Sequence, residues 1–297
     1  LEEREMRVTE LLTFVEERHR IYLRRNAGDS LLTKDPILSK YRFCNIYREL
    51  DTVTAWLAKH WREPNADNPD LWHAFVVARH MNNIPMLDAL GGALLPWNRN
   101  KFVEIAEDRR LKREKVFSGA YMIGTRHNGS KAVYLADMVF TPLWNARGNL
   151  TPIPSDTLTS FHLSLCLFYG LAGFISAQVV ADAKYAGVLR GARDWHTFAA
   201  SGPGSRRGLN RVMGRPLRQP WNEDAWRLAL ARLRDEMLPR FRELGWEEPH
   251  AQDVQNMCCE WDKYERARLG EGRPKQLFRG GQAHAIQENE GRKVQVA

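Results

Sequence analysis

Long apolar runs are scarce in this chain: its most apolar segment, Leu158 to Ala181, is broken by Gly170 and Gly173 and carries serine and histidine. A bilayer-spanning helix of about 20 apolar residues is therefore excluded. Cysteine is also sparse. Cys44, Cys166, Cys258 and Cys259 show no CxxC or metal-ligand spacing, and adjacent cysteines are poor disulfide partners, so reduced and mostly buried thiols are expected. The nine histidines form no HExxH or HxxxH pair, which predicts no metal site and no cofactor. Gly124 to Lys131, GTRHNGSK, has the wrong order for a GxxxxGK[ST] phosphate loop, so ATP hydrolysis by this chain alone is not expected. Period-two strand patterns are nearly absent.

What remains is a basic, helical chain. Its 297 residues are 43% hydrophobic, enough for a substantial core. A formal charge of +8 suits a polyanionic partner, nucleic acid first. The opening, LEEREMR from Leu1, has no apolar leader core, and an intracellular protein is expected.

Apolar spacing predicts a first helix over Val8 to Arg25, stopped at Asn26-Ala-Gly28. Lys34-Asp35-Pro36 and Asn68-Pro69 read as caps with proline at the first helical position. Further helices are expected at 100–113, 130–145, 156–184, 205–213, 222–244 and 251–268, with Gly245 and Gly270 as stops. The sum is about ten helices without a sheet. We expect one helical catalytic domain over 1–278, as one body or as two lobes with a central cleft, followed by a polar tail at 279–297 that lacks periodicity.

Tyr41 to Leu57, YRFCNIYRELDTVTAWL, reads as a helix. Phe43, Ile46, Tyr47, Leu50, Val53 and Leu57 cluster in an arc of roughly 120°. On the opposite face Asn45, Arg48 and Asp51 fall at i, i+3 and i+6, with Arg42 beside them. An ordinary exposed Arg–Asp pair explains that face equally well. Gln178 and Asp182 sit one turn apart at the C-terminal end of an apolar helix, where the macrodipole disfavours a carboxylate. Either function or a pairing with Lys184 or an arginine compensates Asp182. Gly202-Pro-Gly204-Ser-Arg206-Arg207-Gly208 is a glycine-rich turn with two arginines entering a helix, a pattern suited to phosphate or to a plain helix connector. Glu260, Lys263 and Tyr264 share a face, as a surface pair or as part of a site. Of ten tryptophans, Trp56, Trp97, Trp195 and Trp221 lie near polar residues where a base could stack.

Taken in order, YRFCNIYRELDTVTAW, ARHMNN at 78–83, KVFSGAYMI at 115–123, GFISAQVVAD at 173–182, GPGSRRGL and CEWDKYERARLGEGRPKQLF at 259–278 resemble the α-glutamyl/putrescinyl thymine pyrophosphorylases. These are phage-type amino acid:DNA transferases, also seen as the helical domain of 5-hydroxymethyluracil DNA kinases. The resemblance spans about residues 10 to 278 and implies an all-α, DNA-glycosylase-like (helix-hairpin-helix-like) fold, acting in the host cytoplasm. It implies double-stranded DNA carrying modified thymine-type bases, a free amino acid or polyamine and a functional link to a 5-hmdU DNA kinase. Pyrophosphate on the 5-hydroxymethyl oxygen would be displaced by the amine after base flipping.

Under that resemblance Asp182 or Asp51 is the general base, with a raised pKa in a closed site. Arg48, Arg42 and Lys263 stabilise the leaving pyrophosphate. Asn45 reads the pyrimidine edge, and Gln178, Tyr264 and Asp262 complete the substrate site. Gly202, Gly204, Arg206 and Arg207 hold the DNA backbone. Addition of Cys44 or Cys166 to C6 is an alternative to a simple buried thiol. Two other functions fit the same residues: a glycosylase in which Asp182 activates water, and a non-catalytic DNA-binding module that recruits the kinase.

Overall fold

The computed structural model describes residues 2–119 and 129–278. The tail at 279–297 lies outside the described residues, as do Ala120 to Ile123 of the KVFSGAYMI block and Gly124 to Asn128 of the glycine segment that follows it. Among the described residues the fold is all-α, and the one extended pairing is an isolated bridge between Tyr41 and Leu277. The α-helices are α1 (Glu2–Ala27), α2 (Thr52–Leu57), α3 (Leu71–Met81), α4 (Ile84–Ala89), α5 (Arg99–Leu111), α6 (Lys131–Leu135), α7 (Thr141–Asn145), α8 (Arg147–Leu150), α9 (Leu158–Cys166), α10 (Gly173–Ala183), α11 (Pro203–Val212), α12 (Glu223–Glu243) and α13 (Ala251–Arg268).

Local chemistry explains most of their ends. Asn222 accepts N–H bonds from Asp224 and Ala225 to start α12, with acids in its first turn and arginines in its last. Thr157 and Ser160 form a reciprocal capping box on α9. Every residue of α3 is buried, and its polar residues His73, Arg79 and His80 find partners inside, at Phe140 O, Asp182 and Val76 O.

Two apolar cores result. The first is built from the middle of the chain, between Trp56 and Phe198, around α3, α6, α9 and α10. The second combines α1 and the segment to Ile46 with Ala199 onward, so that both ends of the described chain contribute to a core around Trp226 and Trp261. Between the cores runs a seam of buried polar groups. Those groups lie on α10, on the segment before α2 and at the start of α13.

Three expected helices are corrected. Tyr41 to Leu57 is extended to Tyr47, makes one 3-10 turn at Arg48–Leu50 and becomes α-helical only from Thr52. The reason is local competition: Asn45 donates its side-chain amide to Leu50 O at 2.7 Å and its backbone N–H to Asp51 Oδ1 at 2.9 Å, a closed turn in place of a helix ladder. The Asp35 cap is real, its Oδ1 accepting from Ile37 and Leu38, but it caps an isolated turn. The expected 156–184 rod is two helices. Gly170 separates them with φ +82°, a conformation suited to glycine, and a side chain there would also strike Val139.

Candidate functional site

Gln178 and Asp182 reach the seam because α10 turns Val179, Val180 and Ala183 into the first core and leaves these two polar positions on one side. Asp182 is 1% exposed. Its Oδ1 accepts from Arg48 Nη1 at 2.8 Å and Arg79 Nη2 at 2.6 Å, and its Oδ2 from Arg79 Nε at 2.5 Å. Burial alone would raise its pKa, but the two guanidiniums together win and hold the carboxyl down at about 2. The expectation of a raised pKa at Asp182 is thus corrected. A sealed, ionised carboxylate with both oxygens occupied is poorly placed to take a proton from an amine or to activate water.

Arg48 is equally committed. Its backbone N–H donates to Asp253 Oδ1 at 3.0 Å, and its Nη2 donates to Gln178 O at 3.2 Å and to Gln178 Oε1 at 3.3 Å. It is therefore an internal clamp between α10 and α13. Arg79, given no role by sequence reasoning, completes the clamp through Thr54 Oγ1 at 3.0 Å. The available signal was an arginine within the apolar run LWHAFVVARHM, where only a buried partner tolerates it. Lys184 does not pair with Asp182. Its ammonium lies 4.1 Å over the Trp195 ring and 3.1 Å from His250 Nδ1. Burial lowers the Lys184 pKa to about 8 and, with the Lys184 charge, that of His250 to about 3.

Asp51 lies at the outer edge of the same seam. Asn45 and Asp51 are joined by the turn, and α13 supplies the opposing wall. Glu260 Oε2 accepts the Cys44 N–H at 2.7 Å and the Lys263 ammonium at 2.5 Å. That ammonium also sits 4.7 Å over the Phe43 ring. Desolvation, reinforced by the Glu260 charge, pushes Asp51 up to about 6, against the opposing effects of the Asn45 N–H and of Arg18 and Arg48. Half-buried Asp51 has the raised pKa that the sequence reading sought in a general base.

Asn45 is not left open for a base edge: its Oδ1 accepts from Arg18 Nη2 at 2.7 Å while its Nδ2 holds Leu50 O. Cys44 is exposed and only Cys258 is fully buried, which corrects the expectation of mostly buried thiols, and the Glu260 charge pushes the Cys44 thiol well above the ordinary range, which opposes thiolate attack at C6. Cys166 approaches His162 Nε2 at 3.6 Å, but that nitrogen already faces Gly173 O at 2.9 Å. Arg42 donates its backbone N–H to Gln276 O at 3.0 Å, and its exposed side chain has no carboxylate partner among the described residues.

Of the remaining expected residues, Asp262 and Arg207 lie on the far side of α13. Asp262 is buried beneath Arg207, Arg211 and Arg266, whose Nε atoms lie 3.2, 2.8 and 3.3 Å from its oxygens. A carboxylate there serves arginines and does not bind pyrophosphate directly. Tyr264 donates its hydroxyl to Asp35 at 2.7 Å. Arg206 is held by Ser201 Oγ and by Glu223, so it is already neutralised within the chain.

The glycines of GPGSRRG have a packing cause. A Cβ on Gly204 would lie 2.4 Å from Cys259 Sγ, and one on Gly208 would lie 2.0 Å from the Cys258 carbonyl oxygen. They permit α11 and α13 to cross at close range. Gly202 donates its N–H to Ser205 Oγ at 2.9 Å in the first turn of α11. Trp56 stacks on His60, Trp97 and Trp195 pack against the first core, and Trp221 lies under Arg215, so these rings already have partners.

The structure thus brings Asn45, Arg48, Asp51, Gln178 and Asp182 to one seam, Lys263 to its edge, and Arg207 and Asp262 to the other face of α13. Two cavities lie elsewhere. One is lined by residues including Asn68, Trp72 and Leu189, the other by residues including Met213, Trp221 and Leu228. No helix among the described residues is long and apolar enough to cross a membrane.

No curated protein matches the chain, and no solved structure matches it. One family does, described as 5-hmdU DNA kinase, helical domain, over residues 5–273. That match points to hydroxymethyluracil modification in DNA. It spans both cores, the seam and the α11–α13 crossing, and the chain belongs to the 5-hmdU DNA kinase helical-domain family.

Proposed function

We propose that the chain is an amine:DNA transferase that displaces pyrophosphate from 5-pyrophosphoryloxymethyluracil in DNA. The observation that carries this reading is Asp51, a carboxylate with a pKa of about 6 at a cation-bearing edge, in a chain of this family that has no phosphate loop. An amine attacks only when its nitrogen lone pair is free. The nitrogen forms a bond to the 5-methylene carbon as the carbon–oxygen bond to pyrophosphate breaks, and Asp51 takes the proton released from nitrogen. Arg42 and Lys263 face the charge that develops on the leaving group. Arg48, Gln178, Arg79 and Asp182 hold the wall behind Asp51 and are positioning residues.

DNA bearing the pyrophosphorylated base, incubated with a panel of amino acids and polyamines, is expected to gain the mass of one amine per modified base by nucleoside mass spectrometry. Unchanged nucleosides across the panel, with the pyrophosphorylated substrate verified, would remove the transferase reading. The family description itself favours a second reading, a DNA-binding module that serves a kinase. That reading expects Asp51→Asn to leave the output of the whole modification system intact.

A further inference from the structure

Three guanidiniums meet where α11 crosses α13. Arg207 and Arg211 come from α11, Arg266 from α13, and all three surround the Asp262 carboxylate. One buried negative charge leaves two positive charges unbalanced. A second carboxylate, Glu271, covers the outer side, accepting from Arg211 and lying 3.9 Å from Arg207. The cluster still carries one excess positive charge.

The two acids are held differently. Asp262 is rooted in α13 and 2% exposed, whereas Glu271 is 35% exposed and stands between Gly270, at φ +72°, and Gly272. The Gly270 and Gly272 N–H groups donate to Ala267 O and Arg266 O, so the backbone of the turn is anchored and only the Glu271 side chain needs to swing outward. The Arg207 and Arg266 side chains are also 31% and 38% exposed, so the solvent-facing parts of their guanidiniums stay open to a further acceptor. Donor capacity is therefore left over beside an exchangeable anion. Planar guanidiniums pair bidentately with carboxylate and phosphate alike, and a phosphate group offers more oxygens to three of them than the single Glu271 carboxylate does.

We propose that Arg207, Arg211 and Arg266 form a phosphate-binding cradle, fixed in shape by Asp262 and occupied by the Glu271 carboxylate until a phosphate group displaces it. This rests on the reading that the chain handles pyrophosphorylated DNA. The phosphate is either a backbone diester of duplex DNA or the free pyrophosphate released.

The test uses the whole chain as wild type, Glu271→Gln and Arg266→Gln, with Asp88→Asn as a net-charge control at an exposed acid on α4. Fluorescence anisotropy measures binding to an unmodified DNA duplex over a salt series, and calorimetry measures inorganic pyrophosphate. Glu271→Gln is expected to tighten one ligand roughly threefold to tenfold beyond the control. Arg266→Gln should weaken the same ligand and, for DNA, reduce the salt slope by about one. A response with DNA identifies a backbone contact, and a response with pyrophosphate alone identifies a leaving-group site. Glu271→Gln binding both ligands no tighter than Asp88→Asn overturns the cradle, and leaves Glu271 as a staple for the C-terminal turn. These are equilibrium measurements without amine, so the cradle and the transferase reading fail separately.

Discussion

Asp182 and Asp51 are two carboxylates in one seam, both under the influence of Arg48, and their surroundings drive them in opposite directions. At Asp182, two guanidiniums overwhelm burial and fix the charge. At Asp51, burial and a neighbouring acid overwhelm one backbone N–H and more distant arginines. A carboxylate's role in a polar seam therefore follows from how many cations touch it, and its depth alone decides little.

The largest expected effect separates the two by stability. Asp182→Asn leaves Arg48 and Arg79 buried against a neutral amide, and breaking such a pair costs about 3–5 kcal/mol. Denaturant unfolding should show that loss. A wild-type midpoint for Asp182→Asn would mean that the clamp is not under load. Asp51→Asn should leave stability at pH 7 unchanged or slightly higher, because it removes a carboxylate whose ionised form the fold disfavours.

Turnover should sort them the other way. Asp51→Asn is expected to lower amine transfer by roughly 10²–10⁴-fold, the usual contribution of a general base. The ionised form is the base, so with the concentration of uncharged amine held constant the wild-type rate should rise as pH increases through about 6 and then level off. A flat profile between pH 5 and 8 would count against Asp51. For stability the signs are opposite. The contribution of Asp182 is present above the unfolded carboxylate value near ~4 and disappears as pH falls toward 2. The Asp51 contribution favours the protonated fold and is lost as pH rises from about 4 through 6.

The smallest test concerns the rim of the clamp. Thr54→Val removes the acceptor of Arg79 Nη2 while keeping its volume, and about 1–2 kcal/mol should be lost with transfer unaffected. Equal damage to stability and turnover would join the two carboxylates into one functional unit.

Periodicity and caps were enough to place most helices, because α5, α12 and α13 carry their stop and start signals within a few residues. The apolar spacing of Tyr41–Leu57 suits a helix, and the competing signal lies in Asn45 and Asp51, whose bonds to nearby backbone close a turn. Asp182 stood out for its place at a helix end, yet its partner Arg79 lies 103 positions away, a separation that no local pattern encodes. The glycines of GPGSRRG suggested a phosphate turn. Their need for contact with Cys258 and Cys259 is visible only once α13 is placed against α11.

The second core draws on both ends of the described chain, and this has a consequence for biosynthesis. As the polypeptide leaves the ribosome, everything needed for the first core is available once Phe198 has emerged, whereas α1 must wait for Trp226 and Trp261 before its apolar stripe is covered. For that interval the nascent chain carries a finished module trailing a sticky amphipathic helix. Chaperone dependence would fall on α1, because Trp226 and Trp261, which cover its apolar stripe, are translated long after it.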